Sequence, residues 1–184
     1  PATTNGGRWA TNVKWYFLHF LNSDAYHTAG CMGTSGDQFI NANGQLLLNG
    51  TNKPMSSAGL WCFVGNDENG YKFYNRNTGI SKVFSISTGG VAKMLAEGTA
   101  DQMQFFDYAA STSTNENLTG KATFKFHGDG NYYLNNSDKA PTCHVAVWND
   151  TRALGDNGSA IDVVEATYDE LVEMGLKVKL STES

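Results

Sequence analysis

Charge is scarce in this 184-residue chain: only 17% of residues are Asp, Glu, Lys or Arg, against the usual quarter. The 13 basic side chains are outnumbered by 18 acidic ones, a net charge of -5, so the chain lacks the electrostatic footprint of a nucleic-acid or anionic-membrane binder. Long apolar runs are missing too. The longest, residues 15–21, is interrupted by His19 and falls far short of the roughly 20 residues that span a bilayer. Proline is rare, at three. Cysteine also numbers three (Cys31, Cys62, Cys143), with no Cys-x-x-Cys pair. The odd count argues against a disulfide framework; three ordinary thiols are the simpler reading, and one bridge plus a free thiol is the alternative. The chain opens on Pro1 and not Met, which suggests that an N-terminal segment has been removed.

Asparagine and glycine fill the gap. Their 18 and 20 copies make up about a fifth of the chain, and both tolerate positive φ and build turns. Forty per cent apolar residues suffice for a core, and the length suits one domain with tails. Together these point to a turn-dense, helix-poor, all-β domain.

Internal periodicity narrows the class. Leu18, Tyr71 and Phe124 are spaced 53 and 53 residues apart, as are Phe20, Phe73 and Phe126. Each apolar-x-apolar step reads as a half-buried strand. Turn residues follow each time: Asn22-Ser23-Asp24, Asn75-Arg76-Asn77 and Gly128-Asp129-Gly130. Closing apolar stretches are centred on Trp61, Phe105 and Ile161. Units near 13–65, 66–118 and 119–166 suggest a barrel with pseudo-threefold symmetry, the β-trefoil; a β-sandwich is the competitor. Residues 1–12 read as a linker or arm. In the tail, 167–184, Thr167 with Glu170 offers a capping box for a short helix stopped by Gly175, and residues 176–180 alternate like one strand. The tail is expected to be a C-terminal extension or the start of a truncated neighbour.

The chain carries no pattern of catalysis. There is no His-Glu-x-x-His, no Gly-x-Ser-x-Gly and no phosphate-binding Gly-rich loop. His127 reads as a surface residue, and Cys143 with His144 would point to opposite faces of a strand. Asp129-Gly130-Asn131 and Asp156-Asn157-Gly158 have oxygen ligands for calcium, but turns use the same residues. The five Asn-x-Ser/Thr sequons, at Asn49, Asn117, Asn135, Asn149 and Asn157, follow from composition. No metal and no cofactor is expected. A sugar needs less: an aromatic face for its C–H face, with Asp, Asn or Gln for its hydroxyls. The third unit supplies these most densely, in Asp129, Asn131 and Tyr132 of its first turn and Trp148, Asn149 and Asp150 before its closing strand. For Trp148, packing against the barrel is the competing role. The second unit, with Arg76, Asn77 and Thr78 in its turn, is expected to bind nothing.

The stretches Trp61-Cys62-Phe63-Val64-Gly65-Asn66 and Asn69-Gly70-Tyr71-Lys72-Phe73-Tyr74-Asn75 resemble a unit junction of ricin-type β-trefoil lectin-like domains attached to secreted glycan-processing enzymes of gut bacteria. The opening Lys14-Trp15-Tyr16 and the closing Val147-Trp148-Asn149-Asp150 are similar to how such domains begin and end, so the resemblance covers roughly residues 13–166. The Gln-x-Trp that closes each unit of ricin-type lectins is replaced by Gly59-Leu60-Trp61 in the first unit and Ser159-Ala160-Ile161 in the third. The resemblance implies a non-catalytic carbohydrate-binding module of a larger protein, secreted, cell-surface or periplasmic, with a glycan as partner. The alternative is a structural domain docked on a neighbouring catalytic domain without binding sugar.

Overall fold

The structure is a computed structural model that describes residues 3–4, 8–21, 38–48, 52–128, 130–137, 143–149 and 152–179. A short pair, β1 (Thr3–Thr4) and β2 (Arg8–Trp9), opens it. The next four strands are β3 (Tyr16–Phe20), β4 (Gln38–Ile40), β5 (Leu46–Leu48) and β6 (Trp61–Asn66). After them come β7 (Gly70–Asn75), β8 (Val83–Ser85), β9 (Lys93–Leu95) and β10 (Phe106–Ala110). The last four are β11 (Ala122–Phe126), β12 (Tyr132–Asn135), β13 (Ala146–Asn149) and β14 (Ile161–Glu165). The only α-helix among the described residues is α1 (Tyr168–Glu173), so the chain is all-β as its composition implies. No helix of the described residues is long and apolar enough to cross a membrane.

Six strands pair antiparallel in a closed ring, β3-β6-β7-β10-β11-β14 and back to β3. A ring leaves no backbone edge unpaired. The remaining long-range strands form three hairpins, β4–β5, β8–β9 and β12–β13, each inserted between two ring strands. Either side of a hairpin, Tyr16 is partner to Trp61, Tyr71 to Phe106 and Ala122 to Ile161. The pairings of β14 with β3, β6 with β7 and β10 with β11 match Phe20 with Ile161, Asn75 with Trp61 and Phe126 with Phe106. Both sets equate Tyr16, Tyr71 and Ala122, which are 55 and 51 residues apart, where the apolar spacing suggested 53 and 53.

The spacing thus sets β7 two residues out of step. A two-residue slip keeps every side chain on its own face, so a period-two pattern cannot detect it. The closing strand of the second stretch is likewise centred one residue later than expected: Phe106 is fully buried, whereas Phe105 is 41% exposed.

The ring encloses a core that includes Leu18, Phe20, Trp61, Phe73, Phe106, Phe124, Phe126 and Ile161. Phe63 of β6 stacks on Phe124 of β11, centroids 5.8 Å apart, although these strands are not neighbours. Their rings meet across the barrel. One end of the barrel is closed where the hairpins converge. The Val145 N–H donates to the Gly44 carbonyl and the Ala92 N–H to the Val145 carbonyl, both at 2.8 Å. The Asn43 carboxamide oxygen accepts from the Met94 N–H at 3.0 Å. Asn43 and Gly44 both have left-handed backbones, φ 63° and 75°, a conformation suited to these two residue types.

A second apolar cluster covers the outside of the ring. Trp15, Phe17, Phe39, Leu60, Cys62 and Tyr74 pack there with Ala166 and Leu171. β3 is therefore buried on both faces, Leu18 and Phe20 inward and Phe17 outward, which explains an apolar run broken only by the buried His19. The helix α1 starts at Thr167 with a capping box to Glu170. It ends at Gly175, φ 75°, where the Gly175 N–H donates to the Val172 carbonyl and the Leu176 N–H to the Leu171 carbonyl. This paired bonding is the Schellman arrangement, and it usually brings the two flanking apolar residues together. The strand expected from residue 176 is absent over residues 176–179, because Leu176 turns back to pack in Leu171's cluster.

The convergence point of the hairpins can be tested. A Cβ on Gly44 would lie 2.4 Å from that of Ala92, at a positive φ, whereas Gly79 shares the positive φ but meets nothing within 4 Å. Gly44→Ala is expected to cost about 2–4 kcal/mol by urea denaturation, strain plus overpacking, and Gly79→Ala only about 1–2 kcal/mol.

Candidate functional site

The hairpin β12–β13 sorts the residues singled out in the sequence. Tyr133 is partner to Trp148 and Tyr132 to Asn149, and facing partners share a face. Trp148 and Tyr132 therefore lie on opposite sides. Tyr132 turns inward, half-buried and stacked on Phe126 at 5.4 Å, so its ring is already covered. Tyr133 is buried as well. Asn131 is half-buried in the turn before β12, and Asn149 is exposed on the Tyr132 side. Asp129 and Asp150 lie outside the described residues. The structure does not bring Tyr132 and Trp148 to one surface.

Trp148 is 43% exposed, so the rim of the barrel does not use it as packing. Its neighbours come instead from the loop before β14. A shallow cup of about 400 Å³ is lined by Trp148, Thr114, Arg152, Gly155, Asp156 and Asn157. Local hydrogen bonds fix its polar groups. Asp156 Oδ1 accepts from the Gly158 N–H at 2.8 Å and from Asn135 Nδ2 at 3.2 Å, capping a short 3₁₀ turn over Asn157–Ser159. Among the described residues, no bond engages its second oxygen. Asn157 Oδ1 accepts from the Ser113 hydroxyl at 2.6 Å, which leaves its amide as the outward donor. The cup thus combines an aromatic face with a carboxylate, an amide and a guanidinium. A carboxylate oxygen and an amide N–H can accept from and donate to one sugar hydroxyl.

Among the described residues the carboxylate of this cup is Asp156. In sequence Asp156-Asn157-Gly158 reads only as a turn, and the turn is real. Its place beside Trp148 depends on β12–β13, which chain order does not reveal.

Among the described residues no group of three His, Cys, Asp or Glu side chains is placed to hold a metal. Cys62 is buried, and burial pushes its thiol up to about 12, with Arg76 opposing weakly; such a thiol is inert at neutral pH. Cys143 is disulfide-bonded, so the three-thiol reading fails and one bridge plus a free thiol is what forms. An odd count conceals a single bridge because nothing in the spacing singles out the unpaired cysteine.

His127 is less bland than its position suggests. Its Nδ1 lies 2.7 Å from Asp107 Oδ1, and its ring packs over Gly70. The Gly128 N–H donates to Asp107 Oδ2 at 3.2 Å, and Lys125 Nζ stands 3.4 Å from it. The group clamps the turn after β11 to β10.

Comparison with protein-family models, with curated proteins and with solved structures finds no match to this chain.

The Asp107 clamp has a pH signature. Partial burial pushes its carboxyl up, but the His127 bond, the Gly128 N–H and the charges of His127 and Lys125 outweigh this and hold it below the ordinary value. A carboxylate depressed in the folded state contributes stability above its unfolded pKa of about 3.9 and loses it as pH falls through the folded value. Asp107→Asn should therefore lower the midpoint of thermal unfolding at pH 7. The gap from the parent should close once the pH is well below about 3.9.

Proposed function

We propose that the chain is a β-trefoil carbohydrate-binding module of a larger secreted protein, non-catalytic, with its sugar on the Trp148 cup. The observation that carries this reading is an exposed indole on β13 beside a carboxylate and an amide fixed on the loop before β14. The trefoil reading is supported by the six-strand ring and three inserted hairpins, which a sandwich would not produce. The corrected register supports it further. Gln104-Phe105-Phe106 falls where ricin-type lectins carry Gln-x-Trp, with Phe106 opposite Tyr71 as Trp61 is opposite Tyr16. The Gln104 carboxamide holds the second hairpin: its Nε2 donates to Ser85 Oγ and the Ala96 carbonyl, and its Oε1 accepts from the Gly98 N–H. The bridged Cys143 suits an oxidising compartment, hence secretion or the periplasm.

The docking alternative has its own support at the C-terminus. Val178 is 84% exposed and Tyr168 is 39% exposed, and the Tyr168 hydroxyl donates to the Val178 carbonyl at 2.6 Å. That apolar pair would suit contact with a neighbouring domain.

Two substitutions test the sugar reading. Because Trp148 is exposed, Trp148→Ala should leave the unfolding midpoint in urea nearly unchanged, a cost of about 1 kcal/mol or less. It should abolish retention in affinity gels cast with plant or mucin polysaccharides. Asp156→Asn keeps the cap acceptor and removes the charge, and should weaken binding about ten-fold without unfolding. Retention of both variants equal to the parent's would move the sugar off this cup. Absence of retention for the parent on every glycan would favour the docking reading.

A further inference from the structure

The barrel has a second, unsealed end. Its rim is formed by the residues of β3, β7 and β11 that pair with Trp61, Phe106 and Ile161, and by the residues two beyond those three partners. Those six positions hold Tyr16, Phe63, Tyr71, Tyr108, Ala122 and Val163. Ala122 stands where the other two strands have tyrosine, and Val163 where their partners have Phe63 and Tyr108. Beside this notch lies a cavity of about 410 Å³, lined by residues of all six ring strands, Phe124 and Ile161 among them. It is the size of a ligand site and not of a packing defect. No local need explains it, since Tyr16 and Tyr71 show that the barrel accepts a bulky aromatic at this register.

Five aromatic rings, Tyr16, Phe63, Tyr71, Tyr108 and Phe124, line it together with the aliphatic Ala122, Ile161 and Val163. Tyr16 and Phe63 are tilted at 5.5 Å, and Tyr108 leans on Phe124 at 6.1 Å while remaining 50% exposed. The Tyr71 hydroxyl is already committed to Asp67, at 2.8 Å. Charge enters at one edge only, where Lys121 Nζ and Asp162 Oδ1 stand 3.4 Å apart, both side chains about a third exposed. A carboxylate ligand would gain the ammonium and meet the carboxylate, and a cation would do the reverse. A hydroxyl can donate to Asp162 and accept from Lys121 at once. A pyranose carries hydroxyls round its whole edge and would press several of them against aromatic rings, which is costly. We infer that the open end of the barrel is a binding site for a small neutral aromatic alcohol or phenol, its ring between Phe63 and Tyr108 and its hydroxyl at the Lys121–Asp162 pair. The site is separate from the Trp148 cup and stands whether or not that cup binds sugar.

The test is titration of the full chain by NMR and calorimetry with three probes: p-cresol, benzoate and methyl β-glucopyranoside. The parent should bind p-cresol saturably, with a dissociation constant on the order of 1 mM or tighter, and both other probes at least about ten-fold more weakly. Ala122→Tyr restores the third rim tyrosine and should reduce p-cresol affinity by about ten-fold or more, while Trp148→Ala should leave it unchanged. If Ala122→Tyr fails to fold, Tyr108→Ala removes one wall at an exposed position and should weaken p-cresol about five-fold. The inference is overturned if p-cresol does not saturate, or if its binding survives both rim variants. Loss of p-cresol binding in Trp148→Ala overturns it too. Benzoate or the glucoside binding as tightly as p-cresol overturns the ligand class.

Discussion

Everything in this molecule depends on the pairing of β14 with β3, which joins the last barrel strand to the first. Five successive partners, from Phe20 with Ile161 to Tyr16 with Glu165, turn an open sheet into a ring. Without them β3 and β14 would each present an edge, and Leu18 and Phe20 would lose the strand that holds them inward. The pairing spans most of the chain, so it carries a large loop-closure entropy that the aromatic core must offset. The same pairing anchors the outer layer, because Phe17 and Val164 face each other on the outside and lie beneath α1.

Closure makes the two ends of the barrel different. At one end three hairpins interlock through backbone bonds at Gly44, Ala92 and Val145, where even a methyl group cannot be added. At the other end six side chains form the rim, and there Ala122 stands at the register that Tyr16 and Tyr71 hold in β3 and β7. The sealed end sets the geometry of the hairpins, and so the position of Trp148; the open end presents side chains. The aromatic stack of Phe63 on Phe124 lies at the open end.

Much of the fold was legible in the sequence. Alternating apolar residues marked β3, β7 and β11, Asn and Gly marked the turns, and Thr167 with Glu170 marked the start of α1. The register was not legible, because Tyr71 and Phe73 are both aromatic and a two-residue slip preserves the pattern. Nor was the cup. Trp148 and Asp156 come together only because β13 and the following 3₁₀ turns pack on β12, and local sequence cannot report which of two adjacent tyrosines shares a face with a distant tryptophan. Tyr132, chosen for its neighbourhood in sequence, spends its ring on Phe126. The rim notch at Ala122 was invisible for a simpler reason: a small residue attracts notice only once the pairing shows what stands at the matching positions.

Native-state hydrogen exchange by NMR addresses ring closure most directly. The backbone amides of β3 and β14 that pair across the closure should exchange only through global unfolding, with the same denaturant dependence as those in β6, β7, β10 and β11. If the amides of β3 and β14 instead exchange together through a smaller local opening, while β7 and β10 remain protected to the global limit, the sheet is open and the ring is not the constraint that holds the fold.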